Sequence, residues 1–536
     1  MKAEVRIADQ RSEIRDRRFR ILYFALIIVA AAAFKLMLLA MNAVPFNGDE
    51  GVVALMARHI LQGERPIFFY GQVYLGSIDA WLVALSFSIF GQSVLAIRLA
   101  QLALFIGTLV TTYLVARRMG LTEWASRVAL VLLALPPTLL TLYTTATLGG
   151  YGETLLLGNV LILIAIGLSQ TVTPWQHTLR YLLFGLVAGF AFWTFPLILI
   201  YLIPISIGLL VRQRWRAWRG YALAGLGLLV GSAPWWLALI QSGGALIAEL
   251  TGSAVASSVA APTWVASLAI RLLNFFLFGA SAWFGLRYPW SADFVLPALG
   301  LLVLAIYFGA LVHAVRRGPR ILWGMIGVLL LTFLLTPFGG DPSGRYFLPL
   351  YLPLVIFTAR LLQWICNEKK MFGALLLILI LGYNVTGTLS AASQPPGLTT
   401  QFDPVTWIDH RYDQALIDFL LAHGETRGYT NYWVQTPIAF LSNEQVISAA
   451  RLPYHLNLGY TRRDDRYPPY SQAVAEAPRA FYITTNHPTL DALIRDRLTG
   501  LNVSFQEQTL GNYHVFFALS RKVTPEDLEI YDTVTR

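Results

Sequence analysis

Two adjacent carboxylates, Asp49 and Glu50, follow the first long apolar segment of the sequence, in the stretch NGDEGVVALMAR at 47–58. Acids in such a place are either solvated surface charges or parts of a site that handles a proton, a metal ion or a sugar. The apolar residues of 51–61 recur near helical spacing, which predicts a short helix lying along a membrane surface. Glu50 has a simpler alternative role, since an acid in the first turn of a helix favours its dipole.

Three other residues have the chemistry to join such a site. Glu153 opens a helix after the loop YTTATLGGYGET, where it either serves that helix dipole or converges with the first acids. Arg345, in GGDPSGRYFLPLYLP, either extends to lipid headgroups or binds a phosphate through two hydrogen bonds. Lys35 lies inside the first apolar segment, where a cation either extends to the interface or is functional.

The composition indicates that these residues belong to a membrane protein. Of 536 residues, 56% are hydrophobic and 13% are charged, whereas soluble domains carry roughly 25% charged residues. The formal net charge of +10 fits basic loops on the cytoplasmic side of a membrane and does not require nucleic acid. The single cysteine, Cys366, excludes an intramolecular disulfide, and we expect it to be inert.

The apolar segments predict about eleven spanning helices, each of roughly 20 residues. They lie near 21–42, 94–115, 125–142, 154–169, 180–194, 196–211, 221–240, 295–314, 321–337, 347–365 and 371–390. The continuous apolar segment 180–211 is interpreted as two spans that turn near Trp193 to Pro196. The segments 78–90 and 267–286 are interpreted as interfacial helices. Counting 267–286 as a span would reverse the membrane orientation of every later segment.

The basic residues favour this arrangement. They cluster at 11–20, 117–127, 212–219, 316–320 and 369–370, and the predicted turn near Pro196 places all five clusters on one side. We therefore expect a multi-pass plasma-membrane protein with a cytoplasmic N-terminus and its C-terminal part outside. The segments 43–93, 143–154, 241–294 and 339–353 then face outwards.

The composition changes near residue 395. The polar stretch SQPPGLTTQFDP is typical of a linker, and the segments after it alternate between helical and strand-like patterns. Helices are expected near 412–423, 434–442 and 488–498, with strands near 427–433, 445–450, 480–486, 502–508 and 513–519. This pattern predicts a transmembrane domain over 1–394 and a small extracytoplasmic α/β domain over 395–536.

The stretches GDEGVVALMARHILQGERP and YGQVYLGSIDAWLVALSFSIFGQSVLAIRLAQLALFIGTLVTTYLVARR resemble the opening of membrane glycosyltransferases of the C-type fold. The sequence is similar to the bacterial branch of the protein O-mannosyltransferase and lipid A aminoarabinose transferase group, and GRYFLPLYLP resembles the Arg-Tyr-x-x-Pro element of that group. The resemblance is strong over roughly 45–120 and weaker beyond. It departs near 70–76, where YGQVYLG stands in place of a Lys-Pro element, which puts donor and acceptor preference in doubt.

The resemblance implies transfer of a sugar from a polyprenyl-phosphate carrier to a protein, lipid or glycan acceptor outside the membrane. By position it makes Asp49 the catalytic base, Glu50 and Glu153 supporting acids, and Arg345, Tyr346 and Lys35 contacts of the donor phosphate. We expect Gln72 and Tyr74 to line the donor or acceptor pocket. No metal ligands are assigned, and the cofactor is unknown, although three converging acids would suit a divalent metal such as Mg²⁺ or Mn²⁺.

Two other classes of function compete with this one. A lipid or sugar transporter places ionisable groups near the middle of the membrane, often in repeated halves, whereas these charges lie at the outer ends of spans and no repeat is evident. A membrane scaffold that presents the C-terminal domain would leave Asp49, Glu153 and Arg345 unexplained.

Overall fold

Long apolar helices make up the chain as far as Ala392, and a mixed α/β region follows. The computed structural model describes residues 2–168, 174–244, 246–247 and 263–535. The α-helices of the first part are α1 (Lys2–Ala40), α2 (Gly48–Gln62), α3 (Ile78–Phe90), α4 (Val94–Arg118), α5 (Glu123–Ala134), α6 (Thr138–Tyr143), α7 (Tyr151–Leu168), α8 (Pro174–Thr194), α9 (Leu199–Gln213), α10 (Trp218–Gly231), α11 (Ala233–Gln241), α12 (Trp264–Leu273), α13 (Ala280–Trp283), α14 (Pro297–Arg317), α15 (Arg320–Leu335), α16 (Tyr351–Glu368) and α17 (Lys370–Ala392).

Within the described ranges, eight helices are long and apolar enough to cross a membrane, or nine if the bent pair α10–α11 forms one span. The eight are Ile21–Ala40, Val94–Arg118, Tyr151–Leu168, Pro196–Gln213, Trp264–Trp283, Pro297–Arg317, Arg345–Glu368 and Lys370–Ala392. The protein is therefore a polytopic helical membrane protein, as predicted. By this criterion, however, the predicted number of about eleven spans is too high.

Proline accounts for two of the interruptions, because it cannot donate an amide hydrogen bond and disfavours continuous helix. The predicted span 125–142 is divided into α5 and α6 at Pro136 and Pro137. Pro234 opens α11, which is bent by 61° from α10. The predicted span 321–337 corresponds to α15, whose 16 residues extend about 24 Å and fall short of a hydrocarbon core about 30 Å thick.

Two other predictions concerned the segments 180–211 and 267–286. The chain does break between α8 and α9, where Phe195 is extended and a short 3-10 turn, Pro196–Ile198, follows. The segment 267–286, in contrast, is not a short interfacial helix. It belongs to a continuous helical stretch, Trp264–Trp283, that includes a π-helical turn at Asn274–Gly279 and has the length and hydropathy of a span.

The basic clusters at 117–127 and 316–320 meet at one end of the bundle. Arg360 near the end of α16 donates hydrogen bonds to the carbonyl oxygens of Arg317 at 2.8 Å and Met119 at 2.8 Å, so the ends of α14 and α4 adjoin. The guanidinium of Arg127 lies 5.6 Å from the ring of Tyr23, which brings the start of the apolar part of α1 to the same end. This common location is the pattern from which the membrane orientation was predicted.

The C-terminal region has the predicted alternation of helices and strands. A five-stranded sheet has the order β4 (Ile447–Ala450), β3 (Arg427–Thr430), β6 (Phe481–Thr485), β8 (Tyr513–Phe517) and β7 (Gln506–Leu510). The first three strands are parallel, and β8 and β7 run antiparallel to their neighbours. The helices of this region are α18 (Asp413–Ala422), α19 (Tyr432–Leu441), α20 (Pro468–Glu476) and α21 (Pro488–Gly500). A separate pair of strands is formed by β5 (Gly459–Thr461) and β9 (Thr533–Thr535).

The first part of the chain contains a small antiparallel hairpin, formed by β1 (Phe68–Phe69) and β2 (Gln72–Gly76).

Helices α8 and α10 approach each other through glycines at four-residue spacing. A Cβ at Gly189 would lie 2.1 Å from the carbonyl oxygen of Leu228, and one at Gly231 would lie 2.2 Å from that of Leu186. Small residues four apart let membrane helices come into backbone contact, which gains dispersion energy that lipid cannot replace. The sequence GLVAG at 185–189 and GLLVG at 227–231 carries this signal.

We predict that Gly189→Leu destabilises the protein by about 3 kcal/mol or more, since the new side chain has no space between α8 and α10. The measurement is the thermal unfolding temperature of the purified protein in detergent. Gly225→Leu on α10 is the matched control, because nothing lies within 4 Å of its Cβ position. Equal unfolding temperatures for the two variants would contradict this packing.

Candidate active site

The site is organised around the N-terminus of α2. Asn47 caps this helix, its side-chain oxygen accepting a hydrogen bond from the Glu50 amide at 3.1 Å. Asp49 and Glu50 are successive residues of the first turn, so their side chains point about 100° apart. Asp49 is half-buried, whereas Glu50 is fully buried, and the two acids therefore have different surroundings.

Asp49 faces α19 of the C-terminal region. The Tyr432 hydroxyl donates a hydrogen bond to Asp49 Oδ1 at 2.5 Å, and Thr436 Oγ1 donates to the Gly48 carbonyl at 2.7 Å. The helices come this close because α2 carries Gly51, where a Cβ would lie 2.6 Å from Thr436 Oγ1. No hydrogen bond to Asp49 Oδ2 occurs among the described residues.

Arg466, also from the C-terminal region, lies beside Asp49. Its guanidinium is 5.2 Å from the ring of Tyr432, and the charges of Asp49 and Asp464 act on it. With the Gln72 amide oxygen turned towards Arg466, that oxygen accepts hydrogen bonds of 2.6 and 2.9 Å from the guanidinium and one of 3.3 Å from the Tyr74 hydroxyl. The predicted pocket residues Gln72 and Tyr74 thus lie next to Asp49 through Arg466.

Burial shifts the ionisation of the groups around Arg466. The pKa of Asp464 is raised to about 6, mainly by burial and slightly by Asp49, while Arg466 and Arg463 oppose the shift. Burial also raises the pKa of the Tyr432 phenol, and the Asp49 charge that accepts its hydrogen bond adds to this shift. Tyr432 therefore stays a hydrogen-bond donor to Asp49 at any physiological pH.

Arg345 forms a second cationic position. Its guanidinium pairs with Asp341 at 2.5 Å, yet 42% of its side-chain surface is accessible, so it faces open space and not packed core. The Tyr346 hydroxyl accepts a 3.4 Å hydrogen bond from Arg345, whose guanidinium lies 5.2 Å from the Tyr346 ring. Arg345 Nε is buried without a partner among the described residues.

Tyrosines connect the two positions. Tyr143 and Tyr151 pack edge to face with ring centroids 4.9 Å apart, and the Arg345 charge acts on both phenols. Asp49 acts on Tyr143 as well. Both the Asp49 carboxylate and the Arg345 guanidinium are therefore close enough to Tyr143 for their charges to act on its phenol.

Lys35 does not extend to the membrane interface, which was one of the two alternatives for it. The residue is 3% exposed, and its ammonium donates to the Thr141 carbonyl at 3.3 Å and to the hydroxyls of Thr144 and Thr145 at 2.8 Å each. It also lies 4.2 Å from the centroid of the Phe105 ring. The side chain therefore points into the bundle and not to the interface, and its three protons are already used to hold α1 against α6 and the turn after it.

Glu50 is buried behind Asp49 and is paired with its own cation, Arg98. It forms a buried ion pair with Arg98, which is 3% exposed, and its Oε1 accepts the Thr147 amide at 3.1 Å. Burial raises the pKa of Glu50, while Arg98 and the Thr147 amide counteract this shift. Buried pairs of this kind are sensitive to the loss of one partner, because the other charge is left uncompensated.

Asp79 and Glu153 form a neighbouring buried pair of carboxyl groups. Asp79 Oδ2 accepts the amides of Gly149 at 3.2 Å and Gly150 at 3.4 Å, and Oδ1 accepts Gln101 Nε2 at 3.2 Å. Burial raises the pKa of Asp79 to about 6, and Glu153 interacts with it directly. Both Glu153 oxygens are buried without a donor from another described residue, an arrangement that one proton shared with Asp79 would satisfy.

The acids therefore do not meet at one point as the sequence suggested. Asp49 lies in the site, whereas Glu50 and Glu153 lie in a buried layer with Asp79. In the described part of the chain, no group of three or more His, Cys, Asp or Glu residues is arranged to hold a metal ion. The neighbours of Asp49 include Tyr432, Arg466 and one further acid, Asp464.

Sequence reasoning missed several residues of this site, which are Asp79, Arg98, Tyr143, Asp341, Tyr432 and Arg466. Arg98 had a usable signal, because a cation near the start of an apolar span needs a buried partner. Asp341 lies in the same loop as Arg345. Nothing in the linear sequence connected Tyr432 and Arg466 with a helix almost 400 residues earlier.

Comparison with known proteins adds evidence on the fold. No known protein family matches the sequence, and no curated protein sequence matches it. ArnT from Cupriavidus metallidurans, solved bound to undecaprenyl phosphate, superposes with a TM-score of 0.55 at 14% identity over 92% of this chain and 97% of that chain. The archaeal oligosaccharyltransferase AglB from Archaeoglobus fulgidus, solved with an inhibitory peptide and a dolichol-phosphate, gives 0.50 at 13% identity over 87% of this chain and 70% of that chain.

A second structure of the Archaeoglobus fulgidus oligosaccharyltransferase, in the apo form, gives a TM-score of 0.52 at 12% identity over 86% of this chain and 69% of that chain. At such identities the likeness concerns architecture alone. The chain thus shares the fold of ArnT and AglB, which confirms the C-type glycosyltransferase fold that the residues around Asp49 predicted.

Proposed function

We propose that the protein transfers a sugar from a polyprenyl-phosphate carrier to an acceptor hydroxyl on the outer face of the membrane. The observation that carries this proposal is that the charges of Asp49 and of the accessible Arg345 guanidinium act on the same residue, Tyr143, while Asp49 Oδ2 has no hydrogen-bond donor among the described residues. Two solved proteins of the same fold hold undecaprenyl phosphate or dolichol-phosphate, which supports a lipid-phosphate donor.

The reaction forms a bond between the acceptor oxygen and the anomeric carbon and breaks the bond between that carbon and the phosphate oxygen. Asp49 Oδ2 accepts the proton of the acceptor hydroxyl as the new bond forms. The Tyr432 hydrogen bond to Oδ1 fixes the carboxylate so that Oδ2 points to the acceptor. Asp49 is thus assigned as the base, as the resemblance of the sequence implied.

The electron pair of the broken bond stays on the carrier phosphate, whose growing negative charge needs a cation. Arg345 offers one, since Asp341 occupies only one of its terminal nitrogens and the side chain is accessible. The adjacent hydroxyls of Tyr346, Tyr143 and Tyr151 are further hydrogen-bond donors for phosphate oxygens. We do not assign Lys35 to the phosphate, because its ammonium is already saturated by Thr141, Thr144 and Thr145.

The remaining acids act as positioning residues in this proposal. Glu50 holds the Thr147 amide, and Asp79 holds those of Gly149 and Gly150, so together they fix the loop between α6 and α7. Tyr143 and Tyr151 flank that loop. Glu50, Asp79 and Glu153 therefore set where these two phenols lie relative to Arg345, and none of the three touches the reacting atoms.

The Asp49 proposal predicts a loss of chemistry without a loss of folding. Asp49→Asn retains size and the Tyr432 contact but cannot accept a proton, so sugar transfer should fall by a factor of about 10² or more. The assay incubates purified protein with a panel of polyprenyl-phosphate sugars and a membrane extract as acceptor, and measures release of free polyprenyl phosphate. Donor affinity and the unfolding temperature should stay near those of the wild type.

Glu50→Gln is the informative comparison for Asp49→Asn. It leaves the Arg98 charge unpaired and buried, so the unfolding temperature should fall, in contrast to Asp49→Asn. Normal transfer by Asp49→Asn would refute the assignment of the base. A wild-type protein that releases lipid phosphate from none of the donors would refute the proposed reaction itself.

The buried Asp79 predicts a pH dependence of stability. The pKa of Asp79 is about 6 in the folded protein and near 3.9 in the unfolded chain. Protonation of Asp79 therefore stabilises the folded state; this stabilisation is complete below about pH 4 and is lost as pH rises through 6. Between pH 5 and 7 the free energy of unfolding of the wild type should fall by about 1 kcal/mol, a loss that Asp79→Asn should not show. Thermal unfolding at both pH values measures this difference.

Asp496→Asn, at an exposed position of α21, serves as the control and should keep the wild-type dependence. The same pH dependence in Asp79→Asn as in the wild type would mean that Asp79 is ionised at pH 5, which contradicts the buried carboxyl pair.

A further inference from the structure

A second cavity lies at the opposite end of the bundle from Asp49. Its volume is about 240 Å³, and its lining consists of Gly120, Leu121, His313, Arg317, Arg360, Gln363, Trp364 and Asn367. These residues come from the ends of α14 and α16 and from the turn after α4. Arg345 precedes α16 and Trp364 lies near its end, so at 1.5 Å per residue the two sites are about 30 Å apart.

The lining of this cavity is positively charged, and hydrogen bonds hold one of its arginines in place. Arg360 is held by hydrogen bonds to the carbonyl oxygens of Arg317 and Met119, which belong to different helix ends. It cannot extend freely into water as a long surface side chain does. Its Nε is buried and has no partner among the described residues, so a hydrogen-bond donor remains unused.

No carboxylate of the described residues forms an ion pair with Arg317 or Arg360, whereas Arg117 and Arg127 nearby both pair with Glu123. The charges of Arg317 and Arg360 both act on His313, whose ring packs at a tilt of 37° against that of Trp364 with centroids 5.4 Å apart. A cavity with two uncompensated guanidiniums is suited to an anion.

The apolar surface beside the cavity indicates what carries that anion. Trp364, which lines the cavity, is 49% exposed in a chain that is embedded in a membrane. Tryptophan at the end of a spanning helix favours the level of lipid headgroups. A ligand that places a phosphate between the arginines and its apolar part along Trp364 satisfies both observations.

We propose that this cavity binds the headgroup of an anionic glycerophospholipid, with its phosphate against Arg317 and Arg360. Basic pockets between transmembrane helices bind such headgroups elsewhere by the same combination of charge and apolar contact. The site is separate from Asp49 and does not depend on the proposed sugar transfer.

Native mass spectrometry of the full-length protein tests the proposal, with phosphatidylglycerol and phosphatidylcholine titrated separately. We expect stoichiometric retention of phosphatidylglycerol over phosphatidylcholine, and Arg317→Gln should weaken it about fivefold, as expected for one cation near a lipid phosphate. Arg316→Gln is the matched control, because it removes the same charge from the adjacent residue, which does not line the cavity. Inorganic phosphate at millimolar concentration should not displace the lipid.

Three results would overturn the proposal. Equal weakening by Arg316→Gln and Arg317→Gln would mean that general surface charge, and not the cavity, retains the lipid. Displacement of phosphatidylglycerol by inorganic phosphate would mean that the cavity binds a free anion. Equal retention of the two lipids by the wild type would likewise contradict a site for anionic headgroups.

Discussion

The close packing of α19 on the first turn of α2 is the contact on which the candidate active site depends. It exists because Gly48 and Gly51 leave the surface of α2 free of side chains, so that Thr436 and Tyr432 reach it directly. The same contact delivers the Tyr432 hydroxyl to Asp49 and brings Arg466 within reach of Gln72. The C-terminal region therefore forms one wall of the site.

A second constraint comes from beneath α2. Glu50 and Asp79 are buried and accept backbone amides of the loop that joins Tyr143 to Tyr151. Buried carboxylates are costly unless they are paired and hydrogen-bonded, and here that requirement ties three segments of the chain together. Asp49 and Glu50 are adjacent in sequence, and one side of the turn faces Tyr432 and Arg466 while the other holds the loop.

Sequence patterns predicted the elements better than their contacts. The helical character of the apolar segments, the break near Pro196 and the alternation after residue 395 follow from local chemistry and occur in the structure, whereas the number of spans was overestimated. The assignment of 267–286 to the interface was wrong because it relied on the distribution of basic residues and not on the length of the segment. The continuous helical stretch, which includes a π-helical turn, extends from Trp264 to Trp283.

Residues of the candidate site could be predicted only where a single short stretch of sequence contains them. Asp49 and Arg345 were singled out from their loops, and the charges of both act on Tyr143 in the structure. Glu50 and Glu153 were expected beside Asp49, but side-chain direction within a turn and partners such as Arg98 are not visible in a linear pattern. The contribution of Tyr432 and Arg466 required the three-dimensional packing of two distant segments.

The central claim is that Arg345 and Asp49 belong to one site for a lipid-linked phosphate. A cryo-electron microscopy structure of the wild-type protein with polyprenyl phosphate tests it most directly. The phosphate should lie within hydrogen-bond distance of the Arg345 guanidinium, beside Tyr143 and on the side towards Asp49 Oδ2, and Arg345→Ala should lose this density. Density for the phosphate at another position, with Arg345 still paired to Asp341 alone, would contradict the account.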